Sequence, residues 1–113
     1  MTAITTHVID LATGRPVAGL AVQLARRTEA GDWQALASAE TDDDGRVRAW
    51  RGAVDLAPGQ HRLTFLTAAH FAERNVDAFY PEVSVVFLVA NAGERHHVPL
   101  LLGPFGYTTY RGS

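Results

Sequence analysis

Cysteine is absent from this 113-residue chain. That excludes a disulfide framework, a thiolate nucleophile and a cysteine-based zinc site. A strong charge imbalance is absent too. The formal net charge is −2, which leaves no electrostatic footprint for nucleic acid or an anionic membrane. No apolar run approaches the roughly 20 residues of a spanning helix. Residues 1–20 contain Asp10 and Arg15 and lack a long apolar core, so they do not resemble a signal peptide. The expectation is a cytoplasmic protein, or a periplasmic one if a leader has been removed. The chain also lacks a Gly-x-Ser-x-Gly elbow, a phosphate-cradling loop and a dinucleotide fingerprint. An enzyme built from it would work without a familiar covalent nucleophile. Water activated by histidine, with arginine stabilising the developing negative charge, remains available.

What is present is a chain able to form a core. Hydrophobic residues make up 47% and charged residues 19%, so disorder is not indicated and one domain over residues 1–113 is expected. Short segments alternate with period two between turn signals, the pattern of β-strands. Thr5 to Leu11 places His7, Ile9 and Leu11 on one face. Leu20, Val22 and Leu24 share a face of the next strand, and Trp33 to Thr41 reads as its hairpin return. Asp42-Asp43-Asp44-Gly45 is a strong turn, followed by a short strand at Arg46 to Ala49. His61, Leu63, Phe65 and Thr67 line one face of a further strand. Ala68 to Val76 is the one helix, with Asn75 marking its end. Val83, Val85, Phe87 and Val89 share a face of a strand that Val86 and Leu88 suggest is buried on both sides. Pro99 lies inside the next strand and implies an edge, a bulge or a point where pairing stops. Tyr107 to Tyr110 alternates aromatic and β-branched residues, an ending more ordered than a frayed tail. About eight strands and one short helix favour a β-sandwich. Its open edges imply edge-to-edge association.

Candidates for chemistry are few. The histidines are His7, His61, His70, His96 and His97, and a histidine in a strand is more often structural than catalytic. A zinc site would draw on His7, His96 and His97. Adjacent His96 and His97 point to opposite faces of a strand, which counts against it. The acidic turn lacks the terminal bidentate acid of a calcium loop, since position 53 is Ala53. Arg46 follows that turn directly, where a guanidinium can be aimed at a planar, carbonyl-rich ligand. Tyr110-Arg111-Gly112-Ser113 forms a compact polar ending.

Four segments carry a family resemblance. Thr6-His7-Val8-Ile9-Asp10 with Gly14-Arg15-Pro16 resembles the opening of the transthyretin-related proteins. Thr41-Asp42-Asp43-Asp44-Gly45-Arg46 resembles their second signature, and Phe79-Tyr80-Pro81-Glu82-Val83 the stretch after their helix. His97-Val98-Pro99-Leu100-Leu101-Leu102 with Tyr110-Arg111-Gly112-Ser113 resembles the enzymatic branch, whose members hydrolyse 5-hydroxyisourate. The resemblance implies an all-β, transthyretin-like sandwich of two four-stranded sheets with one short helix. It implies a homotetramer, no cofactor and no metal, with a small-molecule substrate and no nucleic-acid or membrane partner. Carried over by position, the catalytic residues are His7, Arg46, His97 and Ser113. The substrate-binding residues are His7, Arg46, Tyr110, Arg111 and Gly112. The implied reaction opens a cyclic amide to give 2-oxo-4-hydroxy-4-carboxy-5-ureidoimidazoline, a step of urate degradation. Arg95, Gly103 and Thr108 depart from common family residues, and Arg95 changes the local charge. The competing reading is a non-catalytic carrier of a small aromatic ligand, against which the polar site residues speak.

Overall fold

The computed structural model describes residues 3–52 and 54–113. Ala53, which weighs against a calcium loop, lies outside the described residues. The elements are β1 (Ile4–Asp10), β2 (Ala21–Arg27), β3 (Trp33–Glu40), β4 (Arg46–Val47), β5 (Arg51–Gly52), β6 (Gly59–Phe65), α1 (Ala68–Glu73), β7 (Val83–Val89), β8 (His96–Leu102) and β9 (Tyr107–Thr109). They form two sheets, of order β4-β1-β8-β9 and β5-β3-β2-β6-β7. The second sheet has five strands and not the expected four. The addition is β5, which pairs with β3 through Ala37↔Gly52 and Ser38↔Arg51. Among the described residues, no helix is long and apolar enough to cross a membrane.

Period-two alternation decides what each strand buries. In β1, Ile4, Thr6, Val8 and Asp10 are buried, whereas Thr5, His7 and Ile9 are only half-buried on the opposite face. Ile4, Val8 and Leu100 from the first sheet join Val22, Leu24, Leu63 and Phe65 from the second in one core. Burying each such large side chain contributes about 1.5–3 kcal/mol. The buried polar groups are satisfied locally. Thr6 Oγ1 donates to the Val98 carbonyl at 2.5 Å. Asp10 accepts from the Ala12 and Thr13 amides and lies 3.0 Å from His70 Nε2, which ties α1 to the sheet.

Three expectations change in detail. The helix stops at Glu73, because Asn75 adopts a left-handed φ of 54° and the chain turns there. Strand β7 is not buried on both sides: Val86 and Leu88 are 55% and 66% exposed, since none of the described residues covers the outer face of that edge strand. Pro99 sits in a central strand. It falls where the β8–β9 ladder lapses, between the pair Leu100↔Thr109 and the lone bridge His97↔Gly112. Thr109 Oγ1 reaches across the gap to the Pro99 carbonyl at 2.7 Å.

The central pairing of the first sheet is parallel and matches Ile4 with His96 through to Asp10 with Leu102. It joins segments about 90 residues apart, a distance readable from these partner numbers. This pairing brings the first and last strands together and positions the site.

Candidate active site

The Asp42 to Gly45 turn sets Arg46. Asp42 Oδ1 accepts from the Asp44 and Arg46 amides at 2.9 and 3.0 Å, and the bond from the Arg46 amide above all holds its carboxyl below the usual range. Gly45 has φ of 75°, and a Cβ there would lie 2.5 Å from the Val8 carbonyl oxygen. Only glycine fits this close approach to β1. The chain then enters β4 with Arg46 directly opposite His7. Directly paired side chains share a face, with Cβ atoms about 4.5–5.5 Å apart.

His97 reaches the same face through β8. Thr5 is its partner in the parallel ladder, and Thr5 Oγ1 lies 2.8 Å from His97 Nδ1. The tail closes over the ring. The Gly112 amide donates to the His97 carbonyl at 2.9 Å. A Cβ on Gly112 would fall 2.5 Å from His97 Cδ2 and 3.2 Å from Pro99 Cγ. The imidazole is therefore held at Nδ1 by a hydroxyl and on its flank by backbone. Burial chiefly, then the charges of Arg46 and His7, push its pKa below the ordinary histidine value. A neutral ring follows at pH 7.

These groups border a cleft of about 320 Å³ lined by Thr5, Thr6, Arg46, Val47, Arg48, Arg95, His97 and Ser113. Arg48 pairs with Asp42 at 3.0 Å and Asp44 at 3.6 Å. Among the described residues, Arg46 and Arg95 have no carboxylate within ion-pair distance. The cleft thus offers positive charge and a neutral imidazole to an electron-rich ligand.

Arg46, His97 and Ser113 line the cleft, and His7 stands beside Arg46 by register. Tyr110 and Arg111 line a second hollow with Val85, Phe87, Leu88 and His96, on the β7–β9 side of the sandwich, and His97 borders both hollows. Arg111 donates to Glu94 at 3.1 Å. His96 turns inward and is 5% exposed, so it does not join His7 and His97. Sequence reasoning missed Thr5 and Arg48 as cleft residues. Thr5 shares the alternating face of His7, a signal present in the pattern of β1. Its pairing with His97 depends on a register that one strand cannot reveal.

The fold and the cleft define a class: a β-sandwich protein with a polar, arginine- and histidine-lined cleft. The chain belongs to the HIUase/Transthyretin family, whose model matches residues 4–112. The 5-hydroxyisourate hydrolase of Caulobacter vibrioides is 43% identical over 118 aligned positions, covering 100% of both chains. The solved structure of Klebsiella pneumoniae 5-hydroxyisourate hydrolase is similar at a TM-score of 0.83 and 33% identity, covering 99% of this chain and 100% of that one. Transthyretin from Sparus aurata gives a TM-score of 0.91 at 26% identity, covering 99% and 97%.

Proposed function

We infer that this chain hydrolyses 5-hydroxyisourate in urate degradation. The observation that carries the reading is the gathering of Arg46, His97 and Ser113 around one cleft, in a chain whose relatives at 40–43% identity are named for that reaction. Fold likeness does not separate hydrolase from carrier. The cleft favours the hydrolase, because three guanidiniums and an imidazole suit a carbonyl-rich, hydrophilic ring better than an apolar one.

The chemistry follows from the geometry. In the tautomer that places the proton on Nδ1, facing Thr5, His97 Nε2 carries a lone pair free to accept a proton. It accepts a proton from water as the oxygen attacks the ring amide carbonyl. The carbonyl becomes an oxyanion, which Arg46 stabilises. The C–N bond then breaks, the leaving nitrogen takes the proton back from the imidazolium, and the carboxylic acid so formed ionises to a carboxylate by releasing its proton to solvent. His7 sits beside Arg46 to hold the substrate or share the base's task. Ser113 orients the water or the ring. Gly112 positions His97, and Arg111 anchors the tail through Glu94.

The cleft opens outward from the first sheet. Exposed Phe79, Phe105, Tyr110, Val86 and Leu88 offer apolar surface for assembly. A homotetramer that covers the cleft suits these features, and Tyr110 would then approach substrate across a subunit contact. The test generates hydroxyisourate from urate with urate oxidase and follows decay of its transient absorbance. Acceleration by wild type and loss of about 10²–10³-fold in Arg46→Ala are expected. Unaccelerated decay with the wild-type protein would defeat the reading.

A further inference from the structure

The outer face of the five-stranded sheet carries a second built feature, remote from the cleft. Cross-strand pairing aligns Arg51, Ser38, Gln23, Thr64 and Ser84 in one polar row across all five strands. Directly paired residues share a face, so the whole row points outward. The adjacent row is Ala35, Ala25, Arg62 and Val86. Small side chains in its middle leave a groove of about 440 Å³, bounded by Trp33 and Arg62 at one side and Arg51 at the other. That volume falls in the usual range of small-molecule sites.

Among the described residues the arginines of the groove make no ion pair, and the carboxylates near it are Glu40 on β3 and Glu82, which Ser84 contacts at 3.5 Å at the far end of the row. All ten basic residues other than histidine are arginines. Arg62 lies with its guanidinium carbon 4.6 Å from the Trp33 ring centroid, a cation–π contact that fixes its direction. Its Nε is buried and has no hydrogen-bond partner. Arg27 also lies over Trp33, at 5.7 Å, and donates to the neutral Gln60 at 3.2 Å. Among the described residues, none of Arg27, Arg51 and Arg62 has a carboxylate within ion-pair distance, although the chain is net negative. Glu40, two residues along β3 from Ser38, makes no such pair either. Arg51 and Arg62 lie three strand spacings apart, about 14 Å across the sheet, with Arg62 a further two residues, about 7 Å, along its strand, so their Cα atoms are roughly 16 Å apart. Thr64 and Gln23 lie between them as polar floor.

We propose that this groove is a second ligand site, one that takes a small molecule bearing two or more acidic oxyanion groups, with Arg51 and Arg62 each holding one. Planar guanidiniums bind carboxylate and phosphate alike. The site is on the opposite sheet from Arg46 and His97, so it does not depend on the hydrolase reading.

The experiment titrates the intact protein with pyrophosphate and, separately, citrate at constant ionic strength. Backbone amide and arginine Nε–H resonances are followed by NMR. Saturable shifts at Gln23, Ser38, Arg51, Arg62 and Thr64 are expected. Saturation by one probe alone supports the site and identifies its acid as phosphate or carboxylate. Arg62→Gln and Arg51→Gln should each weaken binding roughly tenfold or more, the scale of one charge-assisted contact. Arg51 is an exposed residue of a short edge strand, so Arg51→Gln carries the test even if Arg62→Gln disturbs folding. Hydroxyisourate decay should be unchanged in Arg51→Gln. Linear, unsaturated shifts in the wild type, equal affinity in Arg51→Gln, or shifts concentrated at Arg46 and His97 would each overturn the proposal.

Discussion

Gly112→Ala adds one methyl group beside His97, and its effect can be worked out in advance. The new carbon would lie 2.5 Å from His97 Cδ2, well inside contact distance, and 3.2 Å from Pro99 Cγ. The proline ring cannot yield, so either the imidazole rotates or the tail lifts away. Rotation strains the 2.8 Å contact between Thr5 and His97 Nδ1. Lifting breaks the 2.9 Å bond from the Gly112 amide to the His97 carbonyl and moves Ser113 from the cleft. Either outcome displaces a reacting group by about 1 Å, for which a loss near 10²-fold in kcat/KM is the usual scale. That equals about 2.7 kcal/mol of transition-state stabilisation. Stability should change far less. One hydrogen bond near the chain end contributes about 1 kcal/mol, or roughly 4–8 °C in Tm for a domain of this size. Gly106→Ala is the control, because a Cβ there meets nothing within 4 Å. The assay is steady-state hydroxyisourate decay beside a thermal melt of both variants. Gly112→Ala turnover matching Gly106→Ala would refute the idea that the tail holds His97 in place.

Thr5→Val should lower kcat/KM about five- to tenfold by removing the hydroxyl at His97 Nδ1, with Thr5→Ser restoring it; equal losses in both variants would show that the hydroxyl is not the agent. The His97 pKa is depressed, first by burial, so the neutral base persists below the ordinary histidine value and the acid limb of kcat/KM should have its midpoint under pH 6.5. A midpoint above that value would count against His97 as the base. His61 is fully buried and its pKa is lowered by desolvation first. The unfolded chain therefore binds a proton that the native state refuses. Stability should be level with respect to this group above pH 6.5 and fall as pH drops below it. Urea melts at several pH values should show a smaller acid loss in His61→Leu than in the wild type; an unchanged pH dependence would exclude His61 as its source.

Much of the fold was legible because local chemistry settles it. Alternation in Leu20, Val22 and Leu24, and again in His61, Leu63 and Phe65, named inward faces that the structure buries. The Asp42 to Gly45 turn was readable because Asp and Gly have their own backbone preferences. The break at Pro99 was readable for the same reason, since a missing amide weakens pairing, and here the ladder lapses on the β9 side while the β1 side runs on. Of the cleft residues, Arg46 was legible from its place directly after the turn, whereas the roles of His97 and Ser113 came from family resemblance, and neither route pointed to Thr5 or Arg48.

Side-chain alternation and backbone preference act over a few residues, so the chain alone determines which segments are strands, where they turn and which side of each is apolar. Whether Thr5 meets His97, whether Gly112 presses on that ring, and whether Arg51 and Arg62 face one groove are decided elsewhere. Each depends on the register between distant strands. Register is set by how the whole core packs, because a slip of one residue would turn every side chain of a strand to the wrong face.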